Sequence, residues 1–184
     1  MLPRRLTALD KHELKSHLLK LQGEDRRLRF GGLVSDFVIE QYVDKSIDDV
    51  WFGCFDDGLI SACHVAIDNK EAELGCSVDK DYRGAGIAQE MFERAVTHIR
   101  SLGIETVYMH CLTENEAMKH IARKNDMIVV SEYGETDATV KVEPPTPITK
   151  FRDAYMDRIA LYDMLFKNNI KLFKNTFWVN HIPK

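Results

Sequence analysis

The 184-residue sequence has no apolar run near the roughly 20 residues that a bilayer-spanning helix needs, so no membrane association is expected. It has no basic excess either. Its 25 Lys and Arg face 29 Asp and Glu, and the net charge of −4 speaks against a general nucleic-acid binder. The first residues, Met1-Leu2-Pro3-Arg4-Arg5, run into charged residues and not into the apolar centre of a signal peptide, so a cytoplasmic protein is expected. Cysteine is scarce. Cys54, Cys63, Cys76 and Cys111 are widely separated, form no Cys-x-x-Cys pair, and lie in apolar strand-like segments where a thiol acts as a small hydrophobe. The seven histidines show no ligand spacing, and no metal is expected. Internal repeats and low-complexity tracts are absent.

What is present reads as one globular domain over residues 1–184, long enough to bury roughly two-thirds of its unfolded surface. Leu9, Leu14, Leu18 and Leu21 recur at helical intervals, with Asp10 placed to cap and Glu13 three residues on. The basic run Arg26-Arg27-Leu28-Arg29-Phe30 ends at Gly31-Gly32. Ser35 is placed to cap a second helix carrying Phe37, Val38, Gln41, Tyr42 and Ile47.

From residue 50 the texture changes to strands. Val50–Phe55 and Leu59–Ile67 flank Asp56-Asp57-Gly58, a hairpin signal, and Asp68-Asn69-Lys70 leads to a third strand over Ala72–Val78. A glycine-bearing turn then opens an amphipathic helix with Ile87, Met91, Phe92, Ala95, Val96, Ile99 and Leu102 on one face and Gly103 as its stop. Val107–Cys111 reads as a strand, Glu114–Lys124 as a helix, and Met127–Val130 and Thr139–Val142 as strands. After Pro144-Pro145-Thr146-Pro147, Phe151, Tyr155, Ile159, Tyr162, Phe166, Ile170 and Phe173 step by four or three. They predict a long C-terminal helix whose aromatic face packs on the sheet, a homodimer seam being the alternative.

The segment Arg83-Gly84-Ala85-Gly86-Ile87-Ala88-Gln89 joins a strand to a helix. Glycines there bare backbone N–H groups at a helix N-terminus, where orphan donors and the helix dipole together suit a phosphate. A Walker loop would need Gly-x-x-x-x-Gly-Lys-Ser/Thr, which is missing. A dinucleotide fingerprint would need Gly or Ala where Gln89 stands, and would follow a first parallel strand instead of antiparallel hairpins. Neither explains the cation at position 83.

In these residues the sequence resembles the GNAT superfamily of acyltransferases, whose Arg/Gln-x-x-Gly-x-Gly/Ala pattern is matched in order by Arg83, Gly86 and Ala88. Ala72–Tyr82 is similar to the strand and turn that precede that loop, and Glu114–Met118 through Asp126-Met127 to a later helix and strand. The likeness covers about residues 50 to 143. It implies an α+β fold: a mixed, mostly antiparallel sheet flanked by helices, here with a helical extension over residues 147–178. It further implies acetyl-CoA as co-substrate, with Cys76, Ser77 and Val78 holding the pantetheine arm through their backbone. Gly84 to Gln89 would cradle the pyrophosphate behind Arg83, and Asn115 would touch the pantetheine.

Transfer to an amine acceptor requires a neutral nucleophile, yet only about one lysine-like amine in a thousand is unprotonated near neutrality. Two candidate bases follow from the resemblance: Glu73 on the strand before the loop and His110 on the next. A fourth-helix tyrosine often serves that family as acid toward the CoA thiolate, but the matching position is Ala122. Asp36, Glu40 and Asp44, spaced by four, are candidates to face a cationic acceptor, and Arg26, Arg27 and Arg29 to read an acidic group. A non-catalytic acyl-CoA sensor is the second reading. A nucleotide-linked oxidoreductase is a distant third.

Overall fold

The computed structural model describes the backbone of residues 1–179 and the side chains of residues 1–166. In chain order the elements are β1 (Arg4–Arg5), α1 (Lys11–Lys20), α2 (Gly23–Phe30), α3 (Asp36–Ser46), β2 (Val50–Phe55), β3 (Leu59–Asp68) and β4 (Glu71–Val78). Then follow α4 (Ile87–Ser101), β5 (Thr106–Leu112), α5 (Glu116–Lys124), β6 (Ile128–Glu132), β7 (Glu135–Lys141) and α6 (Pro147–Val179). One seven-stranded sheet has the order β1-β2-β3-β4-β5-β7-β6. Every pairing is antiparallel except β4 with β5, which the α4 crossover makes parallel. This is the expected α+β arrangement. No helix among the described residues is long and apolar enough to cross a membrane.

The β2 and β3 sequences read as unbroken apolar runs because both of their faces are covered. Phe52, Cys54, Cys63 and Val65 join Met91, Phe92, Ala95 and Ile99 of α4 in one core. Trp51, Leu59 and Ala62 join Leu14, Leu18, Ile39 and Val43 of α1 and α3 in a second core on the opposite face. Gly53 sits where a methyl group would stand 2.5 Å from Leu59 Cδ1 and 2.9 Å from Leu6 Cδ2, so a larger residue there would have to displace both leucines. The two β-turns bend through Asp57 and Asn69 at φ of 52° and 54°, a region that Asp and Asn tolerate.

Several local expectations give way. Leu9 is 95% exposed, because residues 8–10 form a 3₁₀ turn and α1 begins only at Lys11. Asp10 does not cap α1 with its side chain. Its carboxylate accepts from the Thr7 backbone N–H at 2.9 Å and is clamped by Arg4 at 2.5 and 3.0 Å. The basic run is itself a helix, α2, whose C-terminal Gly31 adopts φ 72°. Ser35 does cap α3, accepting from Val38 N–H at 3.4 Å, but α3 buries Ile39 and Val43 and leaves Phe37 and Val38 exposed. The last two strands form one hairpin turning at Tyr133-Gly134, both at positive φ, so β7 starts four residues earlier than its apolar residues suggest.

The largest correction concerns α6. Its aromatic face does not pack on the sheet: Phe151, Tyr155, Tyr162 and Phe166 are all exposed, while Asp153 and Ala160 are buried. The sheet face is already covered by α4, so α6 rests on α4 and holds it by charge. Arg94, fully buried, donates to Asp153 Oδ1 at 2.6 Å and also to Asp157. The second Asp153 oxygen accepts from His98 Nδ1 at 2.9 Å and Ser101 Oγ at 2.6 Å. Ile170 and Phe173 lie outside the described side chains.

Candidate active site

β4 and β5 pair only at Glu71↔Thr106, Ala72↔Val107 and Glu73↔Tyr108. Beyond Glu73 the two strands part, so the backbone groups of Gly75 to Val78 on that side have no partner strand. Unpaired strand edges seek hydrogen bonds from elsewhere. Along this edge runs a cavity of about 450 Å³, within the size range of small-molecule sites.

Residues from four places in the sequence line it: Asp25, Leu28 and Arg29 of α2; Cys76, Ser77 and Val78 of β4; the loop and helix start from Tyr82 to Gln89; and α5 with its cap, Asn115 to Lys124. Every residue expected to hold the co-substrate lies on this wall except Ala85.

Gly84 and Gly86 adopt φ of 77° and 80°, and a methyl group added at either would meet nothing within 4 Å. The glycines are therefore required by backbone conformation, and they leave open space before the helix. Gly86 is the N-cap of α4 and its carbonyl accepts from Glu90 N–H at 3.1 Å. The N–H groups of Ile87, Ala88 and Gln89 thus precede the first intrahelical bond and sit at the positive end of a 15-residue helix. The Gln89 side chain is occupied elsewhere, bonded to Glu93 and Asn125. Free amides at the positive end of a helix, with open space before them, suit the negative charge of a phosphate group.

Helix α2 closes the cavity from the other side. Arg83 donates to Val78 O at 3.1 Å and to Asp25 Oδ1 at 2.9 Å, joining the loop to both β4 and α2. Asn115 caps α5 by accepting from Met118 N–H at 3.2 Å and donates to Leu28 O at 3.4 Å. Its amide therefore fastens α5 to α2, a positional role the sequence reading did not include. Ser77 carries a further surprise: its hydroxyl is 2.9 Å from Nε2 of His17, a fully buried α1 histidine whose Nδ1 lies 3.1 Å from Asp79 Oδ1. Cys76 Sγ approaches Cys63 Sγ across the strands at 2.8 Å. The neighbouring thiol and full burial push the Cys63 thiol up.

The candidate bases stand apart from the cavity wall. Glu73, Tyr108 and His110 share the sheet face opposite the α4 core, next to the point where the strands part. Glu73 is exposed. His110 is exposed too, and its Nδ1 is 2.7 Å from Asp137 Oδ1 on β7, a hydrogen bond that raises the histidine above its ordinary value. More of it is protonated near neutrality, which weakens it as a base. Ala122 is buried in the core, and α5 offers no tyrosine. Tyr82, on the cavity wall, donates to Asp56 at 2.9 Å, which raises its hydroxyl, and Tyr108 donates to Glu71 at 2.9 Å with the same result.

The surface residues sort differently from the expectation. Asp44 pairs with Lys11 and Lys15, and Asp36 with Arg26, so these two acids are engaged in ion pairs, Glu40 is exposed, and none of the three lines the cavity. Arg27 pairs with Glu24 and Glu114.

No curated protein matches the sequence. Solved structures do. The GNAT domain of a Streptomyces lividans protein superposes with a TM-score of 0.65 at 19% identity, over 76% of this chain and 89% of that one. A ribosomal-protein α-N-acetyltransferase in complex with coenzyme A gives 0.64 at 19% identity, over 78% and 94%. The Vibrio cholerae spermidine N-acetyltransferase, solved with coenzyme A and spermine, gives 0.61 at 17%, over 76% and 94%. These likenesses concern the fold, and the coenzyme A complexes among them agree with acetyl-CoA as co-substrate. The profile of the acetyltransferase (GNAT) domain matches residues 33–128, more than half of the sequence, and the chain belongs to that family.

Proposed function

We propose that the chain is an acetyl-CoA-dependent N-acetyltransferase that acetylates a primary amine. The observation that carries this reading is a cavity in which the parted edge of β4 meets the glycine loop and the start of α4. Cys76, Ser77 and Val78 offer backbone groups to the pantetheine arm, and Gly84 to Gln89, behind Arg83, offer donors to the pyrophosphate. Glu73 takes the proton from the attacking amine, directly or through water. It stands on the exposed face beside the opening, where an acceptor can approach, and His110 is less suited because Asp137 favours its protonated form.

The test is coenzyme A release from acetyl-CoA with a panel of amines. In Gly86→Asp a Cβ meets nothing within 4 Å, but the φ of 80° strains any side chain, so circular dichroism first checks the fold while a negative charge enters the pyrophosphate cradle. Acetyl-CoA affinity should fall at least tenfold. Glu73→Gln keeps the shape and should lower kcat by about a hundredfold with little change in affinity. That loss should shrink as pH rises and the amine deprotonates unaided. Unchanged acetyl-CoA affinity in folded Gly86→Asp would remove the binding site from this loop.

The second reading, an acyl-CoA sensor without turnover, draws on one observation: Ala122 fills a core position where the family often carries the acid. Tight acetyl-CoA binding with no release for any amine would favour it.

A further inference from the structure

Arg29 differs from the other arginines around the cavity. Arg26, Arg27 and Arg83 each hold a carboxylate of this chain, whereas Arg29 has no ion-pair partner among the described residues. It is nonetheless half-buried, and its Nε is buried with no hydrogen-bond partner. A cation removed from water without a counter-charge is costly. Its guanidinium lies face-on over Gly75: a methyl group there would stand 3.2 Å from the central carbon and from both terminal nitrogens. Gly75 is where β4 has just parted from β5, next to Cys76 of the cavity wall, which Arg29 itself also lines.

The guanidinium is held in place by a directed chain. Arg29 Nη2 donates to the Tyr42 hydroxyl at 3.0 Å. That hydroxyl is 2.8 Å from His64 Nδ1, and His64 Nε2 is 2.8 Å from Asp49 Oδ2. Asp49 only accepts, so His64 carries its proton on Nε2, Nδ1 accepts from Tyr42 O–H, and the Tyr42 oxygen is left to accept from Arg29. Burial, more than any other influence, lowers His64 and keeps this neutral form. The Phe30 and Tyr42 rings flank the cation, with centroids 5.1 and 5.6 Å away. Such a supporting shell is what a preorganised recognition group requires.

The direction of approach follows from the strand. Glu73 and Gly75 are two residues apart on one face, so their Cα atoms lie roughly 7 Å apart along the strand. An acceptor whose amine meets Glu73 therefore presents its neighbouring atoms to Arg29. A carboxylate on the carbon next to the amine spans such a gap with a hydrogen bond at each end. We propose that Arg29 binds a carboxylate of the acceptor, and that the acceptor is a free α-amino acid or a close relative of one. This rests on the acetyltransferase reading and adds the substrate class.

The experiment compares each of the twenty L-amino acids with its primary amide under acetyl-CoA, and repeats the best pair with succinyl-CoA. The amide's amine is the less basic and more readily deprotonated, so preference for the acid runs against intrinsic reactivity. Wild-type protein should favour the acid over its amide by about tenfold to a hundredfold in kcat/KM, the range for a charge-assisted hydrogen bond. Arg29→Gln should abolish that preference by raising KM for the acid far more than for the amide; Arg29→Lys should restore part of it. Tyr42→Phe, which breaks the positioning chain, should weaken the preference without reversing it. Equal use of acid and amide by wild type overturns the proposal. So does an equal fall in kcat for both in Arg29→Gln, which would assign Arg29 to the thioester oxygen. A gain with succinyl-CoA that depends on Arg29 would place the carboxylate on the acyl chain and also overturn it. Calorimetry of amino acid and amide binding, to the free protein and with coenzyme A, is read in parallel. If acetyl-CoA does not bind at all, the acetyltransferase reading fails by itself, and Arg29-dependent binding of the acid still decides the carboxylate site.

Discussion

Replacing Asp153 tests how α6 is attached. One carboxylate receives Arg94, His98 and Ser101, at 2.6, 2.9 and 2.6 Å, and Arg94 has no exposed surface. Burial by itself would raise the Asp153 carboxyl, but the hydrogen bonds from His98, Ser101 and Arg94 outweigh it and hold the group well below its ordinary value near 3.8. In Asp153→Asn, Arg94 keeps only Asp157 as a counter-charge, besides its stacking over Phe52, 4.5 Å from the ring centroid. Removing one partner of a buried ion pair costs about 3–5 kcal/mol. For a chain of this size each kcal/mol lowers Tm by about 2–4 °C, so a fall of roughly 6–20 °C is expected. Thermal unfolding followed by circular dichroism measures it. A double variant, Arg94→Met with Asp153→Leu, removes both charges and should regain most of the loss. Because the folded carboxyl is depressed, its contribution is present above pH 4 and fades as pH falls below that. Wild type should therefore lose stability on acidification more steeply than Asp153→Asn. A single variant within about 0.5 kcal/mol of wild type, with no difference in acid sensitivity, would refute the idea that charge docks this helix.

Two further outcomes concern the cavity. Cys76 lines it and is half-buried while Cys63 is sealed behind it, so iodoacetamide should label Cys76 first, and acetyl-CoA should protect it; peptide mass spectrometry of labelled protein would contradict this by finding equal labelling with and without the ligand. Asp25→Asn removes a negative charge from the Arg83 guanidinium beside the glycine loop and should tighten acetyl-CoA binding about twofold to fivefold, as expected for a partly exposed ion pair; weaker binding by calorimetry would mean that the Asp25–Arg83 pair shapes the cradle instead.

The strand half of the fold was legible because its signals are local. Asp56-Asp57-Gly58 and Asp68-Asn69-Lys70 turn where their residue types predict, and the α4 face falls on Met91, Phe92, Ala95 and Ile99 as its 3.6-residue period requires. The helices around it were less legible. Periodicity names a face but not what covers it. Phe37 and Val38 of α3, like the aromatics of α6, are apolar residues at helical spacing that stay exposed, while α6 buries Asp153, a residue that hydropathy assigns to solvent. The run Gly23–Phe30 lacks an apolar stripe altogether, so α2 left no periodic trace, although it forms one wall of the cavity.

The same distinction governs the site. Anion cradles are built from backbone, and a glycine pair before a helix announces backbone directly, so Gly84, Gly86 and the amides that follow could be placed from the sequence. Side-chain recognition is built by juxtaposition across the fold, and juxtaposition has no spacing rule. Arg29, Tyr42, His64 and Asp49 span 36 positions from first to last and form one hydrogen-bonded chain only because Tyr42 of α3 reaches His64 of β3, the register partner of Gly75. Arg26, Arg27 and Arg29 are indistinguishable as letters. The fold separates them by giving Arg26 and Arg27 carboxylates of their own and leaving the third, half-buried over the parted strands, to find its counter-charge in a ligand. Co-substrate chemistry was therefore readable from a motif, whereas acceptor chemistry became readable only once charge pairing had been followed through space.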